Sequence, residues 1–295
     1  MPVIGLLSSS SLEQNHDNLA AFHQGLAKTG NIEGRNFAIE YHWTDGQTEP
    51  LSALAAELVG RRVAVIVTVN TPPALAAKAA TQTIPIIMNI GTDPVELGLV
   101  QSLAHPGGNI TGIVSLTLLL SEKRMELLHE LLPAAKSIGY LVNPTSTYTK
   151  FEMNAVQGAA RAAGVQLLIV EARSVRDFDG AIKALSTVDA VLISGDALFL
   201  NSEIVALTNR GAIPAIYPYR NSVAEGGLMS YGIKLQDIWR STGEYAGRIL
   251  NGERPSDLPV QQSTNFYLAI NLKTAKALGL DFPLTLLARA DEVIE

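Results

Sequence analysis

Short apolar runs recur along this chain, each halted by a small polar turn and followed by a helical period. The pattern is densest between Val63 and Asp93. Val63 to Val69 is apolar and β-branched throughout, which predicts a strand buried on both faces. It stops at Asn70-Thr71. Pro72 and Pro73 follow, as the first turn of a helix tolerates, with Asn70 or Thr71 as the cap. Ala74 to Ala80 is strongly helix-forming. Ile84 to Ile90 predicts the next buried strand, and it halts at Gly91-Thr92-Asp93-Pro94.

The same alternation predicts strands over Val3–Leu7, Phe37–Tyr41 (at a sheet edge) and Ile110–Ser115. Helices are predicted over 12–29, 50–60 and 95–104. The pattern then restarts, with strands over Ser137–Val142, Gln166–Glu171, Ala190–Ser194, Ile213–Tyr217 and Gly227–Gly232. Helices fall at 122–132, 151–163, 177–185 and 198–209. The restart is an internal repeat: Ile4 and Ile138 stand 134 residues apart, Ile66 and Leu192 126, Pro85 and Pro214 129. Five strands in one order at near-constant offset imply two similar βαβ lobes, each a parallel sheet covered by helices. The tail does not repeat. It predicts a helix over Leu235–Leu250, a strand over Phe266–Ile270, a helix over Leu272–Leu278 and a last helical turn or two over Leu284–Arg289.

Ligands of open α/β sheets bind outside the carboxyl ends of the strands. Here those ends carry Ser8 to Ser11, Asn70-Thr71, Asn89 to Asp93, Asn143 to Ser146, and Gly195-Asp196, almost without Lys or Arg. Short hydroxyls and amides, with free N–H groups at helix N-termini, suit a small carboxylate. Asp196 reads equally as the cap of the next helix or as the acid that meets an ammonium. Tyr148, Tyr217, Tyr219 and Tyr231 lie near strand ends of the second repeat, where rings either sandwich an apolar group or pack in the core. Tyr217 is the one expected in the core. Arg220 reads as a carboxylate partner or, more commonly, as an exposed arginine.

Composition narrows the classes. The 295 residues are 47% hydrophobic and 17% charged, which describes a globular chain with a large core. A net charge of -6 argues against a general nucleic-acid binder. The absence of cysteine excludes disulfides and thiolate catalysis. No dinucleotide fingerprint, phosphate loop, nucleophile elbow or metal-ligand spacing is present. No cofactor is implied and nothing proposes an enzyme. The apolar runs are strand-sized, and Met1-Pro2 leads into the first strand with no signal peptide.

Four blocks carry a family resemblance: FHQGLAKTGNIEGRNFAIEYHWTDGQTEPLSALAAELV, IPIIMNIGTDPVELGLVQSLAHPGGNITGI, IPAIYPYRNSVAEGGLMSYG, and the ending INLKTAKALGL with LLARADEVIE. The chain resembles the ABC-transporter substrate-binding proteins of the tryptophan/tyrosine type over essentially its whole length. That resemblance implies a type I periplasmic-binding-protein fold: α/β, two Rossmann-like lobes with parallel sheets, linked by a hinge of three crossovers, with a cleft that closes on ligand. It implies lobes over 1–115 with 233–258, and 116–232 with 259–295. It implies ligand contacts at Ser8, Ser9, Ser10, Asn70, Thr71, Asn89, Gly91 and Asp93 from one lobe and at Asn143, Asp196 and Tyr219 from the other. In related amino-acid binders the first lobe holds the carboxylate, a role Thr71 fits. The second holds the ammonium, a role Asp196 fits. The implied protein is a monomeric solute receptor without chemistry of its own, binding an amino acid or related carboxylate and not nucleic acid. It delivers that ligand to a membrane permease from the periplasm or from a membrane anchor. The rivals on the same fold are a regulator's effector-sensing domain, which wants a DNA-binding headpiece, and an enzyme such as a racemase.

Overall fold

The computed structural model describes residues 1–115 and 120–295, without the side chains of Gln14, Thr147, Tyr148, Lys150, Phe151 and Ala197. The chain divides into two compact units, Met1–Leu116 with Leu235–Thr264, and Thr117–Lys234 with Asn265–Glu295.

The first unit is built on strands β1 (Val3–Ser8), β2 (Ala38–Trp43), β3 (Val65–Val69), β4 (Ile86–Ile90) and β5 (Ile110–Val114). Helices α1 (Leu12–Lys28), α2 (Leu51–Gly60) and α3 (Thr71–Ala80) connect them. The sheet runs β2-β1-β3-β4-β5 and gains β11 (Gln261–Gln262) at its edge, with every pair parallel. β1, β3 and β5 are buried at nearly every position, as strands covered on both faces must be. β2 is the edge, as its alternating polarity predicts.

The second unit repeats the order with β6 (Ser137–Val142), β7 (Gln166–Glu171), β8 (Ala190–Ile193), β9 (Ala215–Tyr217) and β10 (Met229–Ile233). The sheet runs β7-β6-β8-β9-β10, then β12 (Phe266–Asn271) antiparallel and β13 (Glu292–Ile294) parallel to β12. Its helices are α4 (Leu120–Leu131), α5 (Thr147–Ala163), α6 (Phe178–Ala184), α7 (Ser202–Arg210) and α8 (Arg220–Ala224). Both sheets therefore carry the 2-1-3-4-5 order, in which the direction of winding reverses between the first and third strands.

Four expectations need correction. Residues 95–104 form no helix. The Asp93 carboxylate accepts from the Val95 and Glu96 N–H groups, which starts one turn, and Gly98 at φ 64° ends it. The helix expected over 198–209 is two pieces, a short turn over Ala197–Phe199 and then α7, because the Asn201 side chain accepts from the Glu203 N–H and starts a new helix. The first unit extends to Thr264 rather than Leu258. The Val260 N–H donates to the Leu103 carbonyl at 2.7 Å and the Ser263 N–H to the Val114 carbonyl at 2.8 Å. α5 also starts four residues before the expected Phe151.

After leaving the second unit the chain re-enters the first through α9 (Leu235–Leu250), which packs along α1. Ile238, Trp239, Thr242, Tyr245, Ala246 and Ile249 line its buried face, with Trp239 edge-on to Phe22. Three glycines bring the two helices into backbone contact. A Cβ on Gly25 would stand 2.0 Å from the Arg240 carbonyl oxygen, and one on Gly243 2.1 Å from that of Phe22. One on Gly247 would stand 1.9 Å from the Thr29 hydroxyl. The remaining helices are α10 (Leu272–Ala277) and α11 (Leu284–Leu287), with α11 packed against α4.

Gly243→Ala must push α9 off α1 and is expected to cost about 1–3 kcal/mol, as overpacking does. Gly158→Ala, on α5 with open space where its Cβ would stand, is expected to gain up to about 1 kcal/mol from helix propensity. Thermal denaturation of the two variants checks both: the melting temperature moves down for the first and up for the second.

Candidate functional site

The winding reversal puts two adjacent strand ends at one edge of each sheet, with chain leaving them in opposite directions. In the first unit these are the ends of β1 and β3. Ser8, Ser9 and Ser10 follow β1 and are all buried. The Ser8 and Ser10 hydroxyls share a hydrogen bond of 2.8 Å, and the Asn15 amide donates to Ser10 Oγ at 2.7 Å. At the end of β3, Asn70 has φ 76° and ψ 165°, a region that residues other than glycine almost never occupy. Its side-chain amide does not cap α3. It donates instead to Ser9 Oγ at 3.0 Å, spanning the reversal point. Such strain costs about 1–3 kcal/mol and persists where surrounding structure over-determines it.

The rest of this edge is polar. Thr71 and Thr92 share a hydroxyl hydrogen bond of 2.8 Å, both buried. The Asn70 N–H donates to the Asn89 carbonyl at 2.9 Å, while the half-buried Asn89 side chain makes no hydrogen bond among the described residues. Gly91 is half-buried in the turn after β4. Asp93 is occupied as a turn cap, which leaves it the weakest of the ligand candidates. The expected supply of free N–H groups is also reduced, because Pro72 and Pro73 remove two donors from the first turn of α3. Hydroxyls and the Asn side chains are the main polar groups here.

In the second unit the matching ends are those of β6 and β8. Asn143 follows β6 and Asp196 follows β8, and the Asn143 amide donates to Asp196 Oδ1 at 3.2 Å. The same oxygen accepts from the Leu198 N–H at 3.0 Å, so the capping role holds, but for a short turn rather than a long helix. Oδ2 of Asp196 has no partner among the described residues. The Tyr219 hydroxyl donates to the Gly195 carbonyl at 2.9 Å. Burial above all, then Asp196 and Glu152, hold this phenol protonated far above its ordinary range. Tyr217 is buried as expected, paired with the Thr208 hydroxyl at 2.5 Å. Tyr231 is half-buried against Phe266, and the Tyr148 side chain lies outside the described residues. Arg220 does meet a carboxylate, that of Glu292, through Nε and Nη2.

Sequence reading missed the charged pair beneath these strand ends. Arg124 and Glu152 are wholly buried, with Nη2 and Oε1 3.1 Å apart. Tyr140 and Ser194 donate to the other carboxylate oxygen at 2.6 and 2.7 Å. Burial first, and then the Glu152 charge, push the Tyr140 phenol well above its ordinary value. A signal existed. Leu120, Arg124, Leu127 and Leu131 share one helical stripe, as do Glu152, Val156 and Ala160, so each charge occupies a core position. No group of three residues fit to hold a metal ion occurs among the described residues.

The model of the family described as ABC transporter substrate binding protein matches residues 2–294. The chain belongs to that family. The substrate-binding protein is 30% identical to a tyrosine-binding protein of Clostridioides difficile over 262 residues, 88% of this chain and 75% of the relative. It superposes on a conserved domain protein from Vibrio cholerae with a TM-score of 0.89 at 29% identity, covering 99% of each chain. It superposes on an ABC domain from Streptococcus pneumonia, solved in complex with L-Trp, with a TM-score of 0.86 at 26% identity, covering 99% of this chain and 100% of the other. The expected fold, two Rossmann-like lobes of the periplasmic-binding class, is thus that of the substrate-binding protein. Proteins of this family work outside the cytoplasm with an ABC permease. No helix among the described residues is long and apolar enough to cross a membrane.

Asn70 offers a direct test of the strained corner. Asn70→Ala keeps the strain and loses the bond to Ser9, whereas Asn70→Gly loses the bond and relieves the strain. The glycine variant is expected to be more stable than the alanine variant by about 1–3 kcal/mol, read from urea unfolding midpoints.

Proposed function

We propose that this substrate-binding protein is a receptor for an aromatic α-amino acid. Asp196 is the observation that carries the reading. One carboxylate oxygen is fixed by Asn143 and the Leu198 N–H, and the other is left for an ammonium. Fixing one oxygen orients the second, so the site is preorganised and less freedom is lost when ligand arrives. Tyr219, pinned to the Gly195 carbonyl next to Asp196, supplies a ring beside it. The first unit's own candidates to hold a carboxylate are Thr71 and Ser8 to Ser10, with Asn70, Asn89 and Gly91 beside them. Relatives named for tyrosine, and one solved with L-Trp, support an aromatic side chain.

The protein acts by binding alone, as a monomer, and recognises no nucleic acid. It works in the periplasm or on an anchor at the outer face of a membrane, and hands its amino acid to an ABC permease. Its relatives are binding proteins, which favours this over an enzyme on the same fold.

Calorimetric titration with L-tyrosine and L-tryptophan tests the reading. Binding to one or both is expected, and none to phenylpropionate or indolepropionate, which lack the amine. Asp196→Asn is expected to weaken the amino acid by about 2 kcal/mol or more, roughly 30-fold, as loss of a paired charge does. Equal affinity for the acid without its amine, or an unchanged Asp196→Asn, rejects the ammonium role.

A further inference from the structure

The buried carboxylate of Glu152 gathers four donors from three places in the second unit. Oε1 accepts from Arg124 Nη2 and from the Ser121 hydroxyl, both on α4. Oε2 accepts from the Tyr140 hydroxyl on β6 at 2.6 Å and from the Ser194 hydroxyl, just past β8, at 2.7 Å. Arg124 also donates to the Ser121 hydroxyl at 2.6 Å and to the Tyr231 carbonyl of β10 at 3.4 Å.

Stability is a poor account of this arrangement. Taking two charges out of water costs about as much as their attraction returns, and well-packed apolar residues often serve as well. Arg124 Nε is moreover buried without a partner, a further cost. What the network does have is position. Tyr140 lies three residues before Asn143, and Ser194 two before Asp196. Both donate to one oxygen. The ends of β6 and β8 are therefore tied twice, inside by Glu152 Oε2 and at the rim by the bond between Asn143 and Asp196.

We propose that Glu152 is a positioning residue for ligand binding: by clamping β6 to β8 from beneath, it sets the direction of the Asp196 carboxylate. The inference rests on the reading of Asp196 as the ammonium's partner. Arg124 engages Oε1, which leaves Oε2 to both strands. The expected consequence is that loss of a single hydroxyl beneath the rim loosens a carboxylate two residues away.

The Leu198 amide, which donates to Asp196 Oδ1, reports that direction without any ligand. Hydrogen exchange is measured by NMR on the full chain, unaltered and as Ser194→Ala, Tyr140→Phe and Ile182→Val. The last trims the core around α6 and controls for general destabilisation. Exchange at Leu198 is expected to quicken about tenfold or more in the first two and to keep its rate, relative to global unfolding, in Ile182→Val. Affinity for L-tyrosine is expected to fall roughly tenfold in Ser194→Ala and to hold in Ile182→Val. Unchanged exchange at Leu198 in Ser194→Ala overturns the proposal, as does quickened exchange with undiminished affinity. Absence of binding of both L-tyrosine and L-tryptophan by the unaltered protein defeats the ligand reading instead, and the exchange result still decides whether Glu152 orients Asp196.

Discussion

Parallel pairing of strands is the constraint on which the rest depends. A parallel strand must send its chain out at one edge of the sheet and bring it back at the other, so all the βα turns of a unit collect together. The 2-1-3-4-5 order then turns the winding around between the first and third strands. At that point two helices leave on opposite faces, and a small gap opens between strand ends. In each unit a side-chain amide crosses it. Asn70 reaches from the third strand back to Ser9 after the first, and Asn143 reaches from the first strand's counterpart to Asp196 after the third's. The two units solve one geometric problem with the donor on opposite sides, and with neutral chemistry in one and a carboxylate in the other.

Two places where local rules are broken lie at or beneath these strand ends. A non-glycine residue sits in a glycine conformation at Asn70, and a charged pair sits in the core under Asn143 and Asp196. In the central strands local preference and tertiary structure agree, as in the unbroken burial of β3, β5 and β8. Chains violate such consistency at functional positions and compensate in the surroundings. Here the compensation is visible. Ser121, Tyr140, Ser194 and the Tyr231 carbonyl partner the pair, leaving Arg124 Nε bare among the described residues.

Much of this was legible in the sequence because the signals are local and repeated. β6, β7 and α9 match their expected bounds to the residue, since apolar period and terminal glycines agree there. The candidate turns were found because a buried parallel strand is a long apolar run whose end is abrupt. What was illegible depends on partners distant in sequence. Gln261–Gln262 becomes a strand only because β5 offers an open edge, and its polar side chains give no hint of it. Residues 95–104 have helical composition but are stopped by a left-handed glycine and a side-chain cap. Arg124 and Glu152 were legible in principle, as charges on apolar stripes, but their meeting is a fact of α4 and α5 lying together. Asn70 looked like a cap because composition reveals which residue occupies a turn, not which way its amide faces.

The threading of the chain has a consequence for its biosynthesis. The first unit is not complete when its five repeated strands have been made, because the groove along α1 is filled only by α9 and the outer edge of β5 only by Gln261–Gln262. The second unit waits longer still, for the β12 and β13 strands that end at Ile294. The first sheet is therefore incomplete until Gln262 has been made, and the second until Ile294 has been made. Close glycine contacts such as Gly25 against Arg240 join segments far apart in sequence, so they form only once both repeats have been made.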